Sequence, residues 1–422
     1  MSFYKSAIIT SNVINTWDGY LLWRQMRSCD IKVIPEKLKS TVTTEEFQKS
    51  QSYRKESSVF SLFEHVKGMI VSNATLLLKL PAKLYYFCSS RNSLQRGSFL
   101  HGWLFLVASD VVSTLIDVPF SYYKNFVIEK KHEFNKMSRW EFAKDTMKTF
   151  LLRTTLIYPV QCGLIQYVVS KFGVRFPIYF FIASSVILFA SMFILPVFIF
   201  PLFFVFSPLD DKGELHEKIK ALADKIGFPL KKIFIVDGSR RSTHSNAYMY
   251  GFWKNKRIVI YDTLLEQLKG DDEQLLSVLC HEFGHWKHGH THAFFVINLL
   301  ALLGISYGAR YFIFNQSLYS QFGFQEMDPI IGLMLFLEVF VEPVSTLLKY
   351  CFSQVSRRFE FEADRFAVSM GYGTKLGEAL LITNKANKME LTPDPLYSAL
   401  IYNHPPLIER LNAIAVEDKK RI

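Results

Sequence analysis

Five long apolar runs restrict this chain more than any other feature of its sequence, because a helix needs roughly 20 such residues to cross a bilayer. They cover about 99–120, 149–171, 176–206, 293–314 and 329–352. Half of the 422 residues are hydrophobic and 39 are Phe, more apolar content than a water-soluble enzyme requires. In lipid every backbone polar group must be satisfied within the segment, so the runs are expected to be helices. A weaker span near 69–89 carries Lys79 and Lys83, and a still weaker stretch at 7–23 is interrupted by Asn12, Asn15 and Asp18. The latter has neither the charged start nor the small-residue cleavage site of a signal peptide and is expected to be retained. The expected fold is an all-α, polytopic membrane protein of six to seven transmembrane helices.

Basic residues set its orientation, since cytoplasmic loops carry the excess of Lys and Arg. Segments 24–67, 121–148, 207–292 and 353–422 are rich in them, whereas 315–328 has none. Threading the spans through these loops alternates without conflict and puts 207–292 and the C-terminus in the cytosol, with 315–328 in the lumen. The formal net charge of +11 then follows from topology and contact with anionic lipid. No nucleic-acid motif competes with that account. The five cysteines are widely spaced and form no CxxC pair, which speaks against a disulfide framework or a thiolate metal site.

Four regions result: a membrane region 1–206, a soluble segment 207–292, two spans in 293–352, and a soluble tail 353–422. Within 207–292, Leu215 to Ile226 has helical periodicity, while 232–236 and 257–261 read as short strands around a polar turn from Gly238 to Asn246. A further helix starts near Asp271-Asp272-Glu273, where acidic residues suit the positive helix end, and is expected to run on into the span near Ala293.

That helix carries His281-Glu282-Phe283-Gly284-His285. Two histidines four apart share one helical face and can reach one metal ion, and Glu282 beside them can take a proton from an attacking water, as zinc peptidases require. A catalytic zinc needs a third protein ligand. His288, His290 and His292 follow closely, but a ligand at 288 would have to reach past His285, and these three read as solvated or structural residues. Cys280 points about 100° away from His281 and reads as a small buried hydrophobe. Glu360 and Asp364, four apart in Ser356-Arg357-Arg358-Phe359-Glu360-Phe361-Glu362-Ala363-Asp364, offer a ligand and a carboxylate to orient a ligand histidine. Spacing fits equally well with a charged surface helix pairing Arg357 to Glu360 and Arg358 to Glu362. Glu362 faces elsewhere and is expected to be solvated.

Several ordered motifs resemble the type I CAAX prenyl endopeptidases, integral-membrane zinc proteases. They are Phe126 to Asn135, Gly238 to Tyr248, Gly251 to Arg257, the zinc motif, Ser356 to Asp364, and His404-Pro405-Pro406-Leu407-Ile408-Glu409-Arg410. The resemblance implies one zinc per chain held by His281, His285 and Glu360, with Glu282 as general base and acid and Asp364 behind a ligand. It also implies that Asn246 holds substrate backbone, that His404 donates to the oxyanion, and that the spans enclose a chamber below a gluzincin-like domain. Arg410 reads as a structural ion-pair partner. The implied activity is removal of the three residues after a prenylated cysteine, with additional processing of longer precursors. Prenylated CAAX proteins and membrane lipids are the implied partners. Lys419-Lys420-Arg421-Ile422 resembles a retrieval signal of the endoplasmic reticulum, and Asn315-Gln316-Ser317 is a glycosylation sequon on the expected lumenal loop. Two other readings use the same residues: a membrane quality-control protease acting on unlipidated proteins, and a zinc transporter loading through the histidine cluster. The second is disfavoured, because transporters place ligands near the bilayer midplane.

Overall fold

The computed structural model describes residues 2–92 and 94–421. Its first three helices are α1 (Phe3–Ser28), α2 (Thr44–Leu77) and α3 (Leu80–Asn92). A reciprocal capping box between Thr43 and Glu46 starts α2, satisfying donors that an open helix end would leave bare. The expected span at 69–89 is not one helix: it straddles the α2–α3 junction, where Lys79 adopts a left-handed backbone (φ 50°). Neither this stretch nor 7–23, within α1, is among the four stretches long and apolar enough to cross a membrane.

Those four stretches are Phe99–Glu129, Arg139–Leu202, His290–Ile313 and Pro329–Ser369. They contain three of the five long apolar runs whole and all but the last few residues of the other two, 176–206 and 293–314. The first holds α4 (Phe99–Tyr123). The 64-residue second stretch holds α5 (Arg139–Leu152), α6 (Tyr158–Phe172) and α7 (Phe176–Ile194), with a 3₁₀ turn at Gly173–Arg175 separating the runs expected at 149–171 and 176–206. One face of α4 is polar although the segment is apolar overall: Asp110, Thr114 and Asp117 join Arg153 in lining a cavity of about 490 Å³. Asp110 pairs with Arg153 at 3.1 Å, as ionisable groups inside a membrane segment must find partners.

The chain then forms β1 (Phe206–Pro208), α8 (Glu214–Ile226), β2 (Leu230–Val236), β3 (Ala247–Tyr250) and β4 (Lys256–Tyr261). These strands make one sheet in the order β1-β2-β4-β3, with β2 and β4 parallel and the outer pairs antiparallel. The small β element expected beside the helices is this four-stranded sheet. Two strands were legible as apolar runs, whereas β1 is three residues long and β3 four, too short for either to carry a periodicity that sequence alone would register.

Helices α9 (Asp262–Gln267), α10 (Asp272–Lys287) and α11 (His290–Ile313) follow. Asp271 caps α10 by accepting from the backbone N–H groups of Glu273 and Gln274. Contrary to expectation, α10 does not run on into the next span: Gly289 takes a left-handed conformation (φ 71°), which glycine adopts without a Cβ clash, and the chain restarts as α11. After α12 (Gln316–Gln321), α13 (Pro329–Phe336) leads through a π-helical turn into α14 (Glu342–Ser369), so one continuous helical stretch runs from the last span to Asp364. The tail folds as α15 (Gly373–Ala386), α16 (Pro395–Ile401) and α17 (Leu407–Arg421). Of the basic C-terminal tail, Ile422 lies outside the described residues. The soluble core joins Ile233, Ile258 and Ile260 of the sheet to Leu276, Cys280 and Phe283 of α10 and to Ala367 of α14.

Candidate metal centre

Helices α10 and α14 cross at Gly284 and Ala363. A Cβ on Gly284 would stand 3.0 Å from the Ala363 Cα and 3.1 Å from the Phe366 Cβ, so only glycine lets the two backbones approach this closely. Glycine inside a helix costs about 1 kcal/mol relative to alanine, and this approach is the physical reason to accept it. The crossing brings residues 79 positions apart in sequence onto one point.

His281, His285 and Glu360 each contribute an atom to that point, all within 4.8 Å of one another. The Nε2 atoms of the two histidines are 3.2 Å apart, and those of His281 and His285 lie 3.6 and 3.3 Å from the Glu360 carboxylate oxygens. Tetrahedral zinc with ligand bonds of about 2.0–2.1 Å separates its ligand atoms by about 3.3 Å, which is the spacing seen here. Glu360 is 4% exposed, and its Oε2 is faced by the His404 Nδ1 at 2.8 Å and the Arg410 Nη1 at 3.4 Å. Two imidazole Nε2 atoms facing each other beside a buried carboxylate all offer electron pairs to one point, which fits a cation. The residues present thus fit zinc.

The charged-surface reading of Glu360 fails. Arg357 turns instead to Glu409 at 2.7 Å and to the Ser398 carbonyl at 2.9 Å, leaving Glu360 inward. Behind the ligands, the Asp364 Oδ1 lies 2.9 Å from the His281 Nδ1, and Arg410 of α17 donates to both Asp364 oxygens at 2.7 and 2.9 Å. Arg410 also stands 3.4 Å from Glu360. Buried charges of both signs compensate each other there, as buried ions must.

Glu282 touches solvent at the rim while protein crowds it, and this burial pushes its carboxyl above the ordinary range, partly offset by the neighbouring imidazoles. A raised pKa suits a group that must take up and release a proton. His404, in the loop between α16 and α17, holds its Nδ1 2.8 Å from Glu360 Oε2 and leaves the rest of its ring exposed. Asn246 is exposed just before β3, where its side-chain oxygen accepts from the Ala247 N–H at 2.9 Å, and no hydrogen bond to the ligand cluster is present among the described residues. Cys280 is fully buried.

Two residues stand closer to the centre than their sequence context implied. His290, read as solvated or structural, is 3% exposed, and its Nδ1 lies 2.9 Å from the His285 Nδ1. Glu362, expected in solvent, accepts from His290 Nε2 at 3.0 Å while also taking the expected Arg358 contact at 3.0 Å. The straight-helix assumption hid both, since the turn at Gly289 changes where residue 290 points.

Known proteins resemble the whole chain. The family described as "CAAX prenyl protease N-terminal, five membrane helices" matches residues 25–204, and peptidase family M48 matches residues 210–418. A CAAX prenyl protease 1 homolog of Arabidopsis thaliana is 40% identical, covering 99% of each chain. The Homo sapiens homolog is 33% identical over 97% of this chain and 95% of its own. The crystal structure of S. mikatae Ste24p superposes with a TM-score of 0.91 at 32% identity, covering 98% of this chain and 99% of that one.

Proposed function

The chain belongs to the CAAX prenyl protease 1 family of M48 membrane zinc metalloproteases, and from that premise we propose that it removes the last three residues of prenylated CAAX proteins at the cytosolic face of the endoplasmic reticulum. Further cleavage of longer precursors belongs to the same reading. The observation that carries it is the convergence of His281, His285 and Glu360 at the α10–α14 crossing, with their ligand atoms at zinc spacing.

His281, His285 and Glu360 would hold the zinc ion, which when bound would supply a Lewis acid for the scissile carbonyl and the attacking water. Glu282 removes that water's proton and delivers it to the leaving amine, so one carboxylate serves as base and then acid. His404 donates to the oxyanion that develops on the carbonyl, a contribution worth about 2.7–4 kcal/mol for one such donor. Asn246 holds the substrate backbone beside β3, the outer strand of its sheet, whose free edge can pair with an extended peptide. Asp364 and Arg410 fix the His281 ring, and the polar faces of the spans wall a hydrated chamber below the centre. A lipidated substrate already resident in the bilayer reaches a centre at the membrane face without leaving it.

Mass spectrometry of products from a prenylated and an unprenylated CAAX peptide, with and without chelator, tests this. Loss of three residues from the prenylated peptide alone, abolished by chelator, is expected. Equal cleavage of both peptides would move the function to quality control of unlipidated proteins.

A further inference from the structure

We infer that His290 is a positioning residue for the metal ligand His285, linking it to Glu362 through a second imidazole. The inference rests on the ligand set proposed above.

Each ligand histidine presents Nε2 to the centre, so a neutral ring must carry its proton on Nδ1 and donate it outward. His281 donates directly to a carboxylate, Asp364, at 2.9 Å. Among the described residues, no carboxylate lies within reach of the His285 Nδ1. Its partner is the Nδ1 of His290 at 2.9 Å, which can accept only if His290 carries its own proton on Nε2. That nitrogen faces Glu362 Oε2 at 3.0 Å, so the protonation pattern closes consistently: His285 donates to His290, and His290 donates to Glu362. Arg358 anchors the far carboxylate oxygen at 3.0 Å.

The local fold is built for this contact. On an unbroken helix, residue 290 would lie about 140° around the axis from residue 285 and could not meet its ring. The left-handed turn at Gly289 ends α10 and brings His290 back over it. Phe359 of α14 stacks on the His290 ring at 4.0 Å with an interplanar angle of 6°, fixing its plane. The buried ring thus has a defined orientation and both nitrogens engaged, which a solvated histidine would lack. Partners of this kind orient ligand rings and raise their basicity, and their loss typically costs about 10–100-fold in metal affinity.

The test measures zinc affinity by competition with graded chelator, together with melting temperature with and without zinc, on the full chain in detergent. Wild type, His290→Phe, His290→Asn and Glu362→Ala are compared. Phe keeps the stacking surface and removes the acceptor; Asn offers its side-chain oxygen near the lost Nδ1. The expected result is a drop of about 10–100-fold in zinc affinity for His290→Phe, partial recovery in His290→Asn and a smaller drop in Glu362→Ala. The zinc-induced rise in melting temperature should shrink in step while the zinc-free melting temperature holds. Wild-type affinity in His290→Phe, or an equal loss in His290→Asn, overturns the relay while leaving the ligand set standing. Should His290→Phe fail to fold, unchanged zinc affinity in Glu362→Ala would overturn it. A wild-type chain that holds no zinc overturns the ligand set and the relay with it.

Discussion

Two clusters of buried polar groups invite comparison. One is the metal centre; the other joins Tyr85 of α3, His101 of α4, Tyr319 of α12 and Asp328 at the start of α13. All four residues of the second are at most 2% exposed. There, Asp328 accepts from the Tyr85 hydroxyl at 2.9 Å and from the Ile330 N–H at 2.9 Å, its carbonyl accepts from the Tyr319 hydroxyl at 2.8 Å, and His101 Nε2 meets the Tyr85 carbonyl at 2.9 Å. Every donor finds an acceptor, and the cluster asks for nothing further. The candidate metal centre is less completely buried, and in it the Nε2 atoms of His281 and His285 face each other at 3.2 Å with the Glu360 carboxylate beside them, three groups that offer electron pairs to one point. Burial and charge do not separate a site from a structural network. Electron-pair donors converging on one point do.

The contrast can be broken by substitutions that should cost chemistry in one cluster and stability in the other. The largest effect is expected for Glu282→Gln, which should lower turnover by about 10²–10⁴-fold while zinc content, measured by elemental analysis, stays at the wild-type value. Zinc loss in this variant would make Glu282 a ligand and not a base. Asp364→Ala should come next, because it removes both short hydrogen bonds of the buried Arg410 and leaves it only the longer contact to Glu360 at 3.4 Å; a destabilisation of up to about 3–5 kcal/mol is expected by denaturant titration. A wild-type denaturation midpoint would mean that Arg410 finds another partner.

His404→Ala should reduce kcat by about 10²–10³-fold, equivalent to about 2.7–4 kcal/mol, with zinc retained and the melting temperature unchanged. A rise in KM with kcat intact would instead assign His404 to ground-state binding. The smallest effect belongs to the second cluster. Tyr85→Phe leaves one oxygen of Asp328 unsatisfied and should cost about 1–3 kcal/mol of stability while specific activity at saturating zinc is preserved. Lost activity without lost stability there would erase the distinction between the clusters.

The HExxH spacing was legible because helix geometry is local: four residues are about one turn, and no tertiary knowledge is needed to put His281 and His285 on one face. The five apolar runs were legible for a similar reason, since the bilayer imposes a length that composition must meet. Glu360 was less so. Its spacing to Asp364 suited a ligand pair and a solvated charge ladder alike, and only the destination of Arg357 separates them. Asn246 and His404 were visible solely through resemblance, because a turn residue and a loop histidine obey no periodicity. Glu362 was misread as solvated, and the reading of His290 as solvated or structural left open the buried contact that a single glycine conformation creates.

By itself the sequence determined that the chain needs a membrane, that the chain bears a zinc-peptidase helix, and which few side chains could complete a ligand set. These depend on lengths and periods within one segment. Tertiary structure decided that α10 and α14 touch at Gly284, that the sheet has four strands, and that His281 is backed by a carboxylate whereas His285 is backed by another histidine. Such facts depend on how closely two backbones approach and on where one residue reverses the chain. They are properties of pairs of segments, and no single segment encodes them.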